Sequence, residues 1–144
     1  MTEKNSFDLM LFLPYLLNQA AEESSMDFQK LYKDRYGMLR TEWRVLFHLG
    51  IFGDRTAREI CDMSRLHKTK VSRAVAALEK RRFIVREKVE EDRRSEILKL
   101  TKAGQDAYSD LRSIAETYDQ KISTDLTGEE DRILRQALVK IARL

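Results

Sequence analysis

Residues that make turns, disulfides and metal sites are scarce in this chain. Its 144 residues include one proline, five glycines, one cysteine and two histidines. With so few glycines and prolines, we expect helices rather than loops to dominate. The lone Cys61 excludes an internal disulfide and fits a reducing cytoplasm. Its neighbours Ile60 and Met63 favour a small buried hydrophobe over a redox-active thiol.

Long hydrophobic runs are also missing. The longest, around residues 9–17, is interrupted by Pro14 and is too short to span a bilayer. No basic stretch followed by a long apolar segment marks a signal peptide at the N-terminus. We therefore expect a cytoplasmic protein that makes no membrane contact and folds as a single domain over residues 1–144.

Catalytic and metal-binding patterns are absent from the sequence as well. His48, His67 and Cys61 fall in separate predicted helices and lack metal-ligand spacing. The chain contains neither a glycine-rich phosphate loop nor a glycine-flanked serine. The sequence therefore predicts no enzymatic activity, no metal and no cofactor.

Charge is abundant but unevenly distributed. The net charge is +3. Residues 65–94 contain 11 Lys or Arg and 5 Asp or Glu, whereas the remainder contains 16 and 19. Such a local excess of positive charge is expected where a protein neutralises phosphates. A solvated charged helix would give the same counts, so the neighbouring elements must decide between the two.

Apolar residues recur at helical spacing along most of the chain. In the basic segment, Val71, Ala74, Val75 and Leu78 fall on one helical face. The predicted helices cover residues 7–19, 26–36, 42–49, 57–63, 68–82, 102–125 and 127 onward.

Single residues mark the ends of these helices. Pro14 should kink or restart the first helix, and Gly37 should cap the second. Gly50 and Gly53 should end the third. The predicted N-caps are Thr41, Thr56, Thr101 and Thr127, the last in a capping box with Glu130.

A hairpin follows the basic helix. Residues 83–85 and 97–100 are the predicted strands, and residues 90–95 form the loop between them. In a winged helix-turn-helix, such a helix enters the DNA major groove while the hairpin loop reaches towards the minor groove. We therefore predict a mainly α fold with a small β-hairpin wing, in which residues 38–101 form the DNA-binding region.

Apolar stripes also occur in the flanking segments 1–37 and 102–144. A winged helix of roughly 60–70 residues buries its own core, so these N- and C-terminal helices need another partner. The most economical partner is the same pair of helices in a second subunit, which predicts a homodimer. The alternative is that they complete a monomeric helical core.

The exposed face of the basic helix carries the predicted DNA contacts. Thr69, Ser72 and Arg73 lie in the N-terminal half, which meets base edges, and the planar fork of Arg73 matches guanine O6 and N7. The alternative for Arg73 is a surface ion pair. The predicted phosphate contacts are Lys68, Lys70 and Lys80.

The wing loop carries adjacent arginines. Either Arg93 or Arg94 is suited to the narrow minor groove of A·T-rich DNA, and the sequence does not say which. The alternative is that residues 90–94 form a solvated charged turn.

Several motifs together resemble the MarR-type transcriptional regulators. They are Thr69-Lys70-Val71-Ser72-Arg73, then Leu78-Glu79-Lys80, the wing Asp92-Arg93-Arg94-Ser95, and Leu100-Thr101-Lys102-Ala103-Gly104. The resemblance covers nearly the whole chain. It implies that Asp92 holds the wing loop by a salt bridge, and that the protein is a regulator, expected to be a repressor that a small molecule releases from DNA.

One position departs from the family pattern. Members usually carry glycine where this chain has Arg82, just past the basic helix. Glycine there suits a left-handed cap, which other residues adopt at a cost of roughly 1 kcal/mol. The local geometry between helix and wing is therefore open, and Arg82 is a further candidate for a phosphate contact.

The family's effectors, often aromatic carboxylates, suggest a second site. Arg40, Arg44 and His48 form a basic stripe, and Trp43 and Phe47 lie on an adjacent face. Phe12 and Tyr15 of the first helix are expected to complete such a pocket. The alternative is that Trp43 and Phe47 belong to the core and the basic stripe is solvated.

Two functions from different classes therefore remain. The first is a homodimeric regulator on a pseudo-palindromic operator with half-sites about 10 bp apart. The second is a winged-helix scaffold for protein interactions that does not bind DNA sequence-specifically.

Overall fold

The computed structural model describes residues 6–144, apart from the side chains of residues 92–94. It confirms a mainly helical fold with a small antiparallel sheet. The helices are α1 (Leu13–Tyr36), α2 (Arg40–Phe52), α3 (Ala57–Ser64), α4 (Lys68–Lys80), α5 (Lys102–Ile122) and α6 (Gly128–Ala142). The strands are β1 (Arg55–Thr56), β2 (Ile84–Val89) and β3 (Asp92–Leu100), in the order β1-β3-β2. No described helix combines the length and apolar character that crossing a bilayer requires.

Helix α1 is one continuous helix, so the prediction of two helices at 7–19 and 26–36 is wrong. Pro14 lies in the first turn, where its missing N–H has no intrahelical acceptor to lose, and it therefore starts the helix instead of kinking it. The helix ends at Gly37, which adopts the left-handed conformation (φ 63°) as predicted.

Helix α2 is longer than the sequence predicted. It starts after Leu39 instead of Thr41, because the Glu42 carboxylate accepts the Leu39 backbone N–H at 2.6 Å. Gly50 lies inside the helix, and only Gly53 follows its end. A Cβ on Gly50 would come within 2.4 Å of the Tyr108 ring. Glycine at this position therefore allows α5 to approach α2, and it does not end the helix.

The other helix starts agree with the sequence. The hydroxyls of Thr56, Thr101 and Thr127 accept backbone N–H groups at the starts of α3, α5 and α6. Glu59 and Glu130 complete capping boxes at the first and last of these. The predicted ends of two helices lie too far along the chain, since α4 stops at Lys80 and α5 at Ile122.

The sheet is larger than predicted. Strand β1 was missed because it has only two residues, Arg55 and Thr56, which pair with Leu98 and Ile97 of β3. The wing strands β2 and β3 extend far beyond residues 83–85 and 97–100, and the predicted loop 90–95 shrinks to a turn at Glu90–Glu91. The register between the two strands shifts after Lys88, as in a β-bulge.

One hydrophobic core holds the winged helix together. It draws on the second half of α1, on α2 to α4, on the sheet and on the first half of α5; α6 buries none of its residues within the described chain. Its buried members are Phe28, Tyr32, Met38, Val45, Leu46, Leu49, Ile60, Val71, Ala74, Val75, Leu78, Ile84, Leu98, Ala107, Tyr108 and Leu111.

Candidate nucleic-acid interface

Helix α4 is anchored by one apolar face. Val71, Ala74, Val75 and Leu78, the four residues assigned to that face from the sequence, are all buried. Burial of such a stripe fixes the rotation of the helix about its own axis, because any rotation would expose the apolar groups. The opposite face is therefore the one that α4 presents to solvent.

The rest of the helix surface carries the predicted contacts, and Lys68 lies at its edge, next to Val71 and Val75. The side chains of the predicted contacts are exposed, and the four cations form no ion pair within the part of the chain that the structure describes. An ion pair for Arg73 is therefore not seen there. The residues are Lys68, Thr69, Lys70, Ser72, Arg73 and Lys80.

The turn before α4 is shaped by the backbone of one residue and the side chain of another. Arg65 ends α3 in the left-handed conformation (φ 58°). The imidazole Nδ1 of His67 accepts the Thr69 backbone N–H at 3.1 Å and so caps α4. Histidine is an uncommon N-cap, so this helix start could not be recognised from residue type alone.

The far end of α4 closes with a Schellman motif. Phe83 N–H donates to the Leu78 carbonyl at 3.0 Å, and Arg82 N–H donates to the Glu79 carbonyl at 2.9 Å. Arg82 adopts the left-handed conformation at φ 62°. The geometry left open by the absence of glycine is therefore the left-handed cap, held here by an arginine.

The wing is tied to α4 by an ion-pair network. Arg86 of β2 lies 3.1 Å from Glu79 of α4 and 3.5 Å from Glu96 of β3. These ion pairs connect the wing to the end of α4. The predicted roles of Asp92, Arg93 and Arg94 depend on side chains that lie outside the described residues.

A cavity of about 500 Å³ opens between α3, α4 and β2. Its lining combines apolar and cationic side chains. Cys61, predicted to be a small buried hydrophobe, packs against the core and is partly exposed in this cavity. The lining residues are Ala57, Arg58, Cys61, Lys68, Val71, Ser72, Val75 and Arg86.

The side chains of the predicted effector pocket on α2 have structural partners. Arg40 pairs with Glu22 at 3.3 Å, and Arg44 donates to the Ser64 carbonyl at 3.1 Å. The pKa of Arg44 is lowered, mainly because its guanidinium is partly buried and to a smaller extent because the positive charge of Arg40 is nearby. His48 donates from Nδ1 to the Arg44 carbonyl at 2.6 Å.

The aromatic members of that pocket divide into two groups. Trp43 packs against Phe28, Tyr32 and Phe47 and so borders the core. Phe12 is exposed and contacts Phe7, and Tyr15 is half-buried. Effector binding by any of these residues stays a prediction.

Comparison with known proteins agrees with this geometry. The model of the MarR family matches residues 36–95, from the end of α1 to the wing. YwaE of Bacillus subtilis, described as an uncharacterised HTH-type transcriptional regulator, is 25% identical over 107 residues, which are 74% of this chain and 63% of YwaE. The match thus spans less than two thirds of that relative.

Two solved structures share nearly the whole architecture. BpsR of Bordetella bronchiseptica, whose DNA binding is regulated by 6-hydroxynicotinic acid, superposes with a TM-score of 0.87 at 18% identity, covering 97% of this chain and 99% of BpsR. A mutant of E. coli MarR in complex with operator DNA superposes with a TM-score of 0.83 at 17% identity, covering 96% and 99%. At such identities these likenesses establish the fold.

Proposed function

We propose that the chain is a winged-helix transcriptional regulator of the MarR family, whose family model matches residues 36–95, and that it binds a pseudo-palindromic operator as a homodimer. We further propose that it is a repressor, that a small molecule releases it from DNA, and that it acts in the cytoplasm.

The exposed face of α4 carries the DNA-binding part of this proposal. Its cations have no acidic partner among the described residues, so phosphates compete with no internal salt bridge. Thr69, Ser72 and Arg73 are placed to meet base edges, and Lys68, Lys70 and Lys80 to meet phosphates. Arg93 and Arg94 are proposed to reach the minor groove from the wing, with Asp92 holding the hairpin.

Two-fold symmetry would place one α4 in each of two successive major grooves. The half-sites of the operator should then lie about 10 bp apart. E. coli MarR, which has the same fold, forms a complex with operator DNA, and this supports operator binding by the present chain.

The first experiment is selection of genomic DNA fragments by the purified protein, followed by titration of the best site at several salt concentrations. Arg73→Ala should lower affinity by about 1–3 kcal/mol and relax specificity at one base pair. Lys70→Ala should weaken binding to every sequence and reduce the salt slope by about 1. Arg112→Ala on α5, an exposed arginine paired with Glu116, is the matched control and should bind as the wild type does.

Unchanged affinity in both α4 variants would remove α4 as the DNA-binding face. Failure of the wild type to enrich any sequence would mean either that the purified protein is effector-bound or that it is the protein-interaction scaffold. Mass spectrometry of the denatured protein for a co-purified ligand would separate these two outcomes. The same titration of Arg93→Ala and Arg94→Ala would identify which arginine enters the minor groove, since only that variant should lose preference for A·T-rich flanks.

Effector release is supported by chemistry at two places. Arg40, Arg44 and His48 beside Trp43, with Phe12 and Tyr15, form the first. The cavity between α3, α4 and β2 is the second, because its apolar lining and its cations suit an aromatic anion. Calorimetric titration with 6-hydroxynicotinic acid and with benzoate would test both. Loss of binding in Arg44→Gln indicates the α2 stripe, loss in Arg58→Gln indicates the cavity, and no binding to the wild type argues against this effector class.

A further inference from the structure

The connection between α1 and α2, called the joint below, is short, and its direction affects the position of α4 relative to α1. Only residues 37–39 separate the two helices. In the proposed homodimer, α1 belongs to the region that joins the subunits and α2 to the region that carries α4. A change of direction at this joint would therefore alter the distance between the two α4 helices.

Arg81 reaches this joint from the end of α4. Its guanidinium donates to the carbonyl of Tyr36 and, at 2.7 Å, to that of Gly37. These carbonyls belong to the end of α1, where backbone acceptors lack intrahelical partners and where positive charge is favourable. The Arg81 side chain thus connects the end of α4 to the last turn of α1.

Glu42 completes the connection from α2. Its side chain is 5% exposed, and its Oε1 lies 3.8 Å from Arg81 Nε. Its other oxygen accepts the Leu39 backbone N–H at 2.6 Å, inside the joint itself. A buried carboxylate that loses its cation is left uncompensated, so the pair resists separation.

The acceptors of Arg81 are themselves held in place. The Tyr36 hydroxyl donates to Asp110 of α5 at 2.6 Å, and Arg35 Nε lies 2.8 Å from the same carboxylate oxygen. The Tyr36 ring packs edge-on against Phe83 with 6.0 Å between centroids. The last turn of α1 is therefore fixed to α5, and Arg81 fixes α4 to that turn.

We propose that Arg81 is a positioning residue for DNA binding: with Glu42 it locks the α1–α2 joint and sets the distance between the two α4 helices, without contacting DNA. The proposal rests on the homodimer proposed above. Its exposed neighbour Arg82, a candidate phosphate contact, carries the same charge one residue further on. Arg82→Gln should therefore at most reduce the salt slope and should leave the preference for half-site spacing as in the wild type.

The first test compares Arg81→Gln with Arg82→Gln on operators whose half-sites are moved together or apart by one base pair. Arg81→Gln should weaken binding to the natural spacing about tenfold, about 1.4 kcal/mol. It should also reduce discrimination among spacings and leave the salt slope unchanged. A salt slope reduced by about 1 with unchanged spacing preference would mean that Arg81 contacts a phosphate, and would overturn the proposal.

Glu42→Gln gives a test in which the proposal and simple electrostatics predict opposite changes in DNA affinity. Removal of a negative charge should strengthen DNA binding if only long-range electrostatics matters. The locked joint predicts weaker binding instead, and a double variant no weaker than Arg81→Gln alone. Stronger binding by Glu42→Gln would contradict the proposal. If Arg81→Gln does not fold, Arg81→Lys replaces it, since lysine keeps the charge but lacks the fork that reaches both carbonyls and the carboxylate.

A measurement without DNA separates this proposal from the function it rests on. Spin labels at Glu23→Cys on α1 and Ala76→Cys on α4, in a Cys61→Ser background, report the distance between the two helices within one chain. The sample is diluted with unlabelled protein. Arg81→Gln should broaden the distance distribution, whereas Arg82→Gln should leave it as in the wild type. An unchanged distribution in Arg81→Gln would overturn the proposal whether or not the wild type binds an operator.

Discussion

Arg82 lies at a backbone position that favours glycine. Its φ of 62° closes the Schellman motif after α4, and side-chain-bearing residues adopt this conformation at a cost of about 1 kcal/mol. Arg82→Gly should therefore increase the free energy of unfolding by about 1 kcal/mol. Urea denaturation with an unchanged m-value would measure the gain.

A control for this prediction lies two residues earlier. Lys80 is exposed and helical, so Lys80→Gly should decrease stability by about 1 kcal/mol, the usual effect of glycine inside a helix. Arg65 is also left-handed, but its guanidinium donates to the Ala142 carbonyl at 2.6 Å. Arg65→Gly should therefore increase the free energy of unfolding by less than Arg82→Gly does. Equal increases would mean that the hydrogen bond from Arg65 to Ala142 does not contribute to stability.

Gly104 is required by a close approach of two backbone segments. A Cβ at this position would lie 2.0 Å from the Phe83 carbonyl oxygen, which accepts the Thr101 N–H at 3.0 Å. Because that carbonyl belongs to the backbone and is held by this hydrogen bond, it cannot easily move away from an added Cβ. Gly104→Ala should lower stability by about 1–3 kcal/mol.

Gly128→Ala is the matched control, since nothing lies within 4 Å of a Cβ there. It lies in the first turn of α6 and should be neutral or stabilise by up to about 1 kcal/mol. Thermal unfolding of both variants tests the pair. Similar melting temperatures for the two would contradict the close approach at Gly104.

At the scale of single elements, the start of α3 makes stability depend on pH. Glu59 accepts the Thr56 backbone N–H at 3.1 Å, and this bond lowers the pKa of Glu59 below its usual value near 4.5. A lowered folded-state pKa contributes stability that is present above about pH 4.5 and is lost as the pH falls through the folded-state pKa.

Glu59→Gln should remove this part of the acid dependence. Its stability should therefore fall less steeply than that of the wild type between about pH 5 and about pH 3. Urea midpoints measured across that range would show the difference. Parallel curves for the two proteins would mean that the carboxylate at the start of α3 does not contribute.

At the scale of the whole molecule, apolar surface at both ends of the chain needs a partner. The exposed hydrophobic residues of α6 include Ile133, Leu134 and Leu138, and more lie on residues 7–16. Such a surface on a small protein marks an interaction site. A charge placed in it, as in Leu134→Glu, should dissociate the proposed homodimer and abolish cooperative operator binding, as measured by sedimentation equilibrium and DNA titration.

Ile51→Glu is the control for surface charge itself. Ile51 is 58% exposed, at least as much as Leu134 at 45%, but it lies on α2 outside the proposed dimer region. Its variant should keep the wild-type molecular mass. A monomeric wild type would show that the helices at both ends serve another purpose.

Some features of this protein depend on residues a few positions apart, and the sequence predicted those. The buried face of α4 follows from helical periodicity, and the starts of α3, α5 and α6 follow from Thr56, Thr101 and Thr127. Caps and periodicity act within one or two turns, so local sequence contains all the information they need.

Other features were decided only by the tertiary structure. Strand β1 exists because Arg55 and Thr56 meet β3 some forty residues later, and Gly50 stays helical because the Tyr108 ring covers it. The contact of Arg81 with Glu42 and the end of α1 likewise joins segments that are distant in sequence. Such contacts depend on which elements the core brings together, and no pattern of neighbouring residues encodes that proximity.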